Sequence, residues 1–188
     1  MKRLIRLNPG WSILPIFLFL CAWEMVTRLN IIPGHFFFPP FTSVVLEFYR
    51  LTANGVLGDN FLASLVRVLA GFSAGSIAGV VIGTVMGYKE NINKALHPIL
   101  SLLYPIPALG WLPILMLWFG IGEILPIIII SICSFFPVLY NTVTGIKTVD
   151  RNLINVAKTL GASERKILTT IVLPLALPNI FTGLRLEA

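Results

Sequence analysis

The sequence predicts an all-α, polytopic membrane helix bundle. Three observations predict it: an apolar composition, four apolar runs of spanning length with a partial fifth, and basic residues gathered between alternate runs. Hydrophobic residues make up 56% of the 188 and charged residues only 12%, about half the share a soluble domain carries. Mean hydropathy is +0.89. Too few polar side chains remain to cover a water-facing surface, so lipid solvates much of the chain.

The net charge of +6 does not point to nucleic acid, because the basic residues are spread between apolar runs and form no patch. Cys21 and Cys133 both lie inside apolar runs, outside any CxxC or metal-ligand spacing, and read as packing residues. No metal site is expected. His35 has no ligand-like partner nearby.

The first run, Trp11–Leu29, follows Lys2, Arg3 and Arg6 as a signal peptide would, but no small-x-small cleavage site closes it. An uncleaved span is expected. Glu24 lies inside this run, where a carboxylate marks a pathway or a buried pair, or snorkels to the nearby interface. The loop that follows, "IIPGHFFFPPF", is too rich in Pro and Gly for regular helix. "TSVVLEFYRL" then offers Thr42 or Ser43 as N-cap and sets Val44, Val45, Phe48, Tyr49 and Leu51 along one face of an interfacial helix.

The second run, Phe61–Tyr88, carries Gly71, Gly75, Gly79, Gly83 and Gly87 at every fourth position. Residues four apart share a helix face, so the helix has a bare groove that admits another backbone closely. That neighbour is either within the same bundle or across a subunit interface. The third run, Leu96–Phe119, is interrupted by Pro105, Pro107 and Pro113, with Gly110 between them. Broken helix at membrane depth is tolerated where protein or a water-filled cavity covers it. The break therefore lines a pathway, with Ser101, Tyr104, Pro105, Pro107 and Trp111 around it, or serves packing alone.

The fourth run is Ile124–Gly145, and the fifth starts near Ile167. If the spans alternate, segments 1–10, 88–97 and 146–166 share one side. They hold Lys2, Arg3, Arg6, Lys89, Lys94, Lys147, Arg151, Lys158, Arg165 and Lys166, most of the 14 basic residues. The positive-inside rule then places the N-terminus and the stretch 146–166 in the cytoplasm.

That stretch forms a compact elbow at about 150–168. Asp150 caps a helix through Leu160, with Leu153, Ile154, Val156, Ala157 and Leu160 as its apolar face. Gly161 supplies the left-handed residue that ends it, and Ser163 caps a second short helix from Glu164. The elbow is too polar for lipid and too apolar on one side to stay bare, so a cytosolic protein partner is expected.

Ala157, then Gly161 four residues on, then "IVLP" from Ile171, resembles the cytoplasmic EAA loop of ABC importer permeases, with Asn155-Val156 in place of the leading Glu-Ala. "YPIPALGWLPILMLWFGIGE" and "FFPVLYNTVTGIKTVDRNLINVAKTLGAS" resemble the nitrate/sulfonate/taurine branch, and the likeness runs from about Leu14 to Leu186. The resemblance implies one transmembrane permease domain over residues 1–188, in an inner-membrane complex. It implies two permease copies, two cytosolic ABC ATPase subunits and an extracytoplasmic substrate-binding protein. It implies Ala157, Leu160, Gly161, Ala162, Ser163 and Glu164 as the ATPase contact, and a small anion such as nitrate, a sulfonate or taurine as cargo.

No GxxxxGK[ST] occurs, so ATP and Mg are expected on the partner, and this chain is not an enzyme. Family members run on past this point to complete the fifth span and add more. The 14 residues Leu173–Leu186 are short for a span unless the helix reaches back through Thr169 and Thr170 to Ile167, so the chain reads as C-terminally shortened. A non-transporting fragment is the alternative. An ion-coupled secondary transporter would show a second half matching the first, and none is seen.

Overall fold

A computed structural model describes residues 9–29 and 38–187. His35, the cations Lys2, Arg3 and Arg6, and most of the Pro/Gly-rich loop lie outside the described residues. The chain divides into two compact units, Met1–Leu62 and Ala63–Ala188. Among the described residues there is helix and no strand.

The first unit holds α1 (Pro9–Arg28), α2 (Phe41–Ala53) and the start of α3. At a rise of about 1.5 Å per residue, the 20 residues of α1 match the ~30 Å hydrocarbon thickness. Its last turns are tied to the start of α2. Trp23 stacks on Phe38 with ring centroids 5.5 Å apart, and its indole N–H donates to the Pro39 carbonyl at 3.2 Å. Glu24 accepts from the Thr42 backbone N–H (3.1 Å), the Thr42 hydroxyl (2.8 Å) and Arg28 (2.6 Å). Of the alternatives for Glu24, the paired carboxylate is the one observed. Neither Thr42 nor Ser43 is the N-cap of α2: the helix starts one residue earlier, after Pro40, and Thr42 is spent on Glu24. No residue of α2 is buried, in keeping with a helix lying on a surface.

The second unit is built around α6 (Ile124–Lys147). Helix α3 (Val56–Tyr88) lies along one side of it, in parallel: Gly71 sits against Ile127 and Ile130, and Gly87 against Ile146. On another side α9 (Leu173–Glu187) runs antiparallel, with Gly145 against Ala176 and Asn179, and Gly183 against Val138 and Asn141.

This parallel pairing fixes what the intervening segment does. The sixteen steps from Gly71 to Gly87 rise about 24 Å, and the chain must recover that height between Tyr88 and Ile124 to start α6 level with Gly71. It does so in two pieces, α4 (Glu90–Leu103) and a 3-10 turn (Ala108–Trp111) leading into α5 (Leu112–Phe119), set 84° apart. A re-entrant loop would return to its own side, so this is a broken span. The break expected within Leu96–Phe119 is a full interruption: Pro105 and Pro107 each lack a backbone donor, and α4 ends at Leu103. Segment 88–97, expected as a loop, is already the first turns of α4.

The last element also reaches further than fourteen residues. After α7 (Arg151–Thr159), the helix starts at Glu164 as α8 (Glu164–Ile167), passes through a π-helical turn at Leu168–Val172 and continues as α9. The 23 residues Glu164–Leu186 are long and apolar enough to cross a membrane, as are Val56–Tyr88 and Ile124–Lys147, and the bent pair makes a fourth. Most of their large apolar side chains face outward, Leu102 and Leu117 at 74% and 83% exposure, as lipid-facing or partner-facing residues do.

Candidate functional site

The elbow sits at the end of the second unit where α3 and α6 finish and α4 and α9 begin. Its first arm starts at Asp150, whose carboxylate accepts from the Asn152 backbone N–H at 2.8 Å. That cap satisfies one of the donors left free at a helix start. The arm ends in a Schellman turn: the Ala162 N–H donates to the Ala157 carbonyl (3.0 Å) and the Gly161 N–H to Lys158 (2.9 Å). The turn needs a positive φ at Gly161, observed at 80°, and no atom lies within 4 Å of where a Cβ would stand. Glycine is there for conformation and not for space. Ser163 caps the second arm by accepting from the Lys166 N–H at 3.4 Å.

Lys158 and Glu164 join the two arms across the turn at 3.0 Å. The carboxylate beside it pushes the Lys158 ammonium above its ordinary pKa. Both side chains are at least half exposed, so the pair fixes geometry more than it adds stability.

The six expected contact residues divide by exposure. Leu160 is 82% exposed, Gly161, Ser163 and Glu164 are exposed, and Ala162 is half-buried. Ala157 differs from the other five: it is buried in the cluster with Val149, Ile167, Val172 and Ala176, beneath the surface of the elbow. The single apolar face expected for α7 is likewise two faces. Ile154 and Ala157 turn inward, while Leu153, Val156 and Leu160 form an exposed stripe at i, i+3 and i+7. The second arm is not a separate short helix but the head of the 23-residue one.

The residues around the broken span do not converge. Tyr104 packs tilted against Tyr140, with ring centroids 4.8 Å apart, and leans on Phe136 at 6.0 Å. Ser101 is exposed and donates to its own-helix Pro98 carbonyl, Pro105 and Pro107 are exposed in the bend, and the Trp111 indole N–H is buried without a hydrogen-bond partner. Tyr140, on α6, was not singled out by the sequence; an aromatic in a run of apolar residues gives no sign of what it meets.

The five glycines of α3 all meet α6 of the same chain. A Cβ on Gly75 would stand 2.2 Å from both the Ser131 carbonyl and the Ser134 hydroxyl; on the other four it would come within 2.7–2.9 Å. Ser131 Oγ reaches across to the Gly71 carbonyl at 3.0 Å. Gly145 and Gly183 make the α6–α9 seam equally close, although neither belongs to a four-residue series that sequence would reveal. Among the described residues no group of His, Cys, Asp or Glu could hold a metal.

Comparison with known proteins agrees with this arrangement. Residues 75–188 match the family described as binding-protein-dependent transport system inner membrane component. Similar proteins include a putative ABC transporter permease of Methanocaldococcus jannaschii, 43% identical over 145 residues, which covers 77% of this chain and 54% of that protein. The taurine transport system permease protein TauC of Escherichia coli is 34% identical over 172 residues, 89% of this chain and 62% of that protein. The putative aliphatic sulfonates transport permease protein SsuC of Bacillus subtilis is 34% identical over 189 residues, 99% and 68%. The chain thus spans about half to two thirds of the length of these relatives. With its alternating spans, broken third span and elbow, the chain belongs to the family of binding-protein-dependent transport system inner membrane components.

Proposed function

We propose that this chain is the membrane-spanning subunit of an ATP-driven importer, with no catalysis of its own, and that its elbow is the grip of a cytosolic ATPase. The exposed stripe Leu153, Val156 and Leu160 carries the reading. It is apolar, it lies beside a rigid capped turn, and it stands at the end of the bundle that also holds Lys89, Lys94, Lys147, Arg151, Arg165 and Lys166. That concentration of cations supports a cytoplasmic reading for this end, and with it for the N-terminus.

ATP and Mg belong to the ATPase subunits. A second permease copy and an extracytoplasmic binding protein complete the assembly, and the cargo is a small anion of the kind named for the taurine and sulfonate relatives. Coupling requires that the ATP-bound and ATP-free partner contact the elbow differently, since only differential affinity shifts an equilibrium. Gly161, Ser163, Glu164 and the half-buried Ala162 shape the contact around Leu160, and Ala157 supports it from below.

Co-purification of the cognate ATPase with Leu160→Asp tests the grip. Removing a leucine that the partner would cover and adding a charge should weaken association by more than about tenfold with helicity unchanged. Undiminished association would remove the elbow from the interface. Labelling Ser163→Cys with a membrane-impermeant reagent tests the sidedness, and reaction from outside intact cells would reverse it.

A further inference from the structure

Beside the elbow lies a recess of about 530 Å³, between the last turn of α3, the first turns of α4, the end of α6, α7 and the head of α8. Four cations, Lys94, Lys147, Arg151 and Lys158, and two acids, Glu90 and Glu164, line it. The acids are already engaged: Glu90 pairs with Lys94 at 3.0 Å and Glu164 with Lys158 at 3.0 Å. Lys147 and Arg151 are exposed and make no salt bridge among the described residues, acting on Glu90 only from beyond pairing distance.

Two further lining groups are buried polar atoms with no hydrogen-bond partner, the Tyr88 hydroxyl and the Asn93 side-chain oxygen. The Tyr88 hydroxyl faces the Glu164 carboxylate, near enough to interact with it but outside full hydrogen-bond geometry. Buried polar atoms are nearly always paired, so the Asn93 oxygen, beside a Tyr88 hydroxyl that is only loosely held, indicates a missing partner on the wall of the recess. The Tyr88 hydroxyl can donate, and turning the Asn93 amide over presents its NH2.

We propose that the recess binds a phosphate-type oxyanion through Lys147 and Arg151, with Tyr88 and Asn93 as the inner donors. A cation would meet an excess of positive charge there. A tetrahedral oxyanion offers enough acceptor oxygens for a guanidinium fork, an ammonium and two neutral donors together. The volume accommodates a free oxyanion with water or the headgroup of an anionic lipid at the membrane surface. The site needs neither a cargo nor a docked ATPase to fill.

The test uses the full chain in nanodiscs and reads binding, so it is independent of transport and of ATPase association. In phosphatidylcholine discs, equilibrium dialysis with labelled inorganic phosphate should show binding that Lys147→Gln with Arg151→Gln weakens at least about tenfold. The charge-conserving pair Lys147→Arg with Arg151→Lys should keep it. Glu90→Gln, which removes an opposing charge, should tighten it, a gain that a misfolded chain cannot show. In discs containing phosphatidylglycerol, native mass spectrometry reads whether that lipid is retained by the wild type and lost from the double glutamine variant. Phosphate binding without lipid retention identifies a free oxyanion, and lipid retention that phosphate competes away identifies a headgroup. The proposal is overturned if neither ligand binds, or if the glutamine variant binds both as well as the wild type.

Discussion

The α3–α6 seam and the elbow both depend on glycine, for opposite reasons. Gly75 sits in ordinary helix and is needed because there is no room for one more carbon: its Cβ would overlap a backbone carbonyl and a serine hydroxyl at 2.2 Å. Gly161 has open space around it and is needed because its φ is 80°. The seam is closed to solvent and to partners, and it locks two parallel helices together along sixteen residues by contact that lipid cannot compete for. The elbow is held by caps and one turn, and it leaves Leu160 facing outward. One region uses small residues to become rigid, and the other uses a single glycine to present a surface.

Substitutions that exchange the two requirements test this contrast. Gly75→Ala has the largest expected effect. Neither the carbonyl nor the Ser134 hydroxyl has space to retreat, so the helices must separate, at about 2–3 kcal/mol or more, read as lost thermal stability in detergent. Gly161→Ala should cost about 1–2 kcal/mol through φ alone. Gly161→Asn should recover most of that, because asparagine visits the left-handed region. An equal loss with Ala and Asn would mean that space, not φ, governs the elbow.

Ser131→Ala probes the seam more gently. Its single hydroxyl proton is shared between the Gly71 carbonyl across the seam (3.0 Å) and its own-helix Ile127 carbonyl (2.8 Å), so a loss of about 0.6 kcal/mol is expected. A chemical unfolding series would resolve it. Smallest are the pH effects, and they run in opposite directions. The Arg67 guanidinium holds the Glu123 carboxyl below its ordinary value of 4.5, so that link between α3 and the start of α6 is intact above 4.5 and is lost as pH falls through the lowered value. Lys158 is raised, so its contribution is intact below 10.5 and is lost as pH rises through the raised value. These two pairs should therefore add no pH dependence between 4.5 and 10.5. Glu123→Gln should remove part of the acid slope and Lys158→Met part of the alkaline one.

The glycine series, the capped elbow and the proline break were legible because each is a local requirement. A four-residue period, an Asp before a helix and two prolines in three residues constrain backbone whatever surrounds them. What was not legible depends on a neighbour distant in sequence. Ala157 and Leu160 sit three apart and share an apolar character, yet one is covered by Ile167 and Val172 and the other by nothing in the chain. Glu24 found its partner eighteen residues away in Thr42, and Arg67 its own in Glu123 fifty-six residues on.

By itself, the sequence determined that this is a lipid-solvated helical chain with a groove, a break and a polar elbow, since composition and short-range spacing fix those through solvation and sterics. Only the tertiary structure decided that the groove is filled by α6, that the broken segment crosses the full depth, and which side of α7 stays bare. These follow from the parallel pairing of α3 with α6, a contact between backbones far apart in the chain, whose close approach no local pattern encodes.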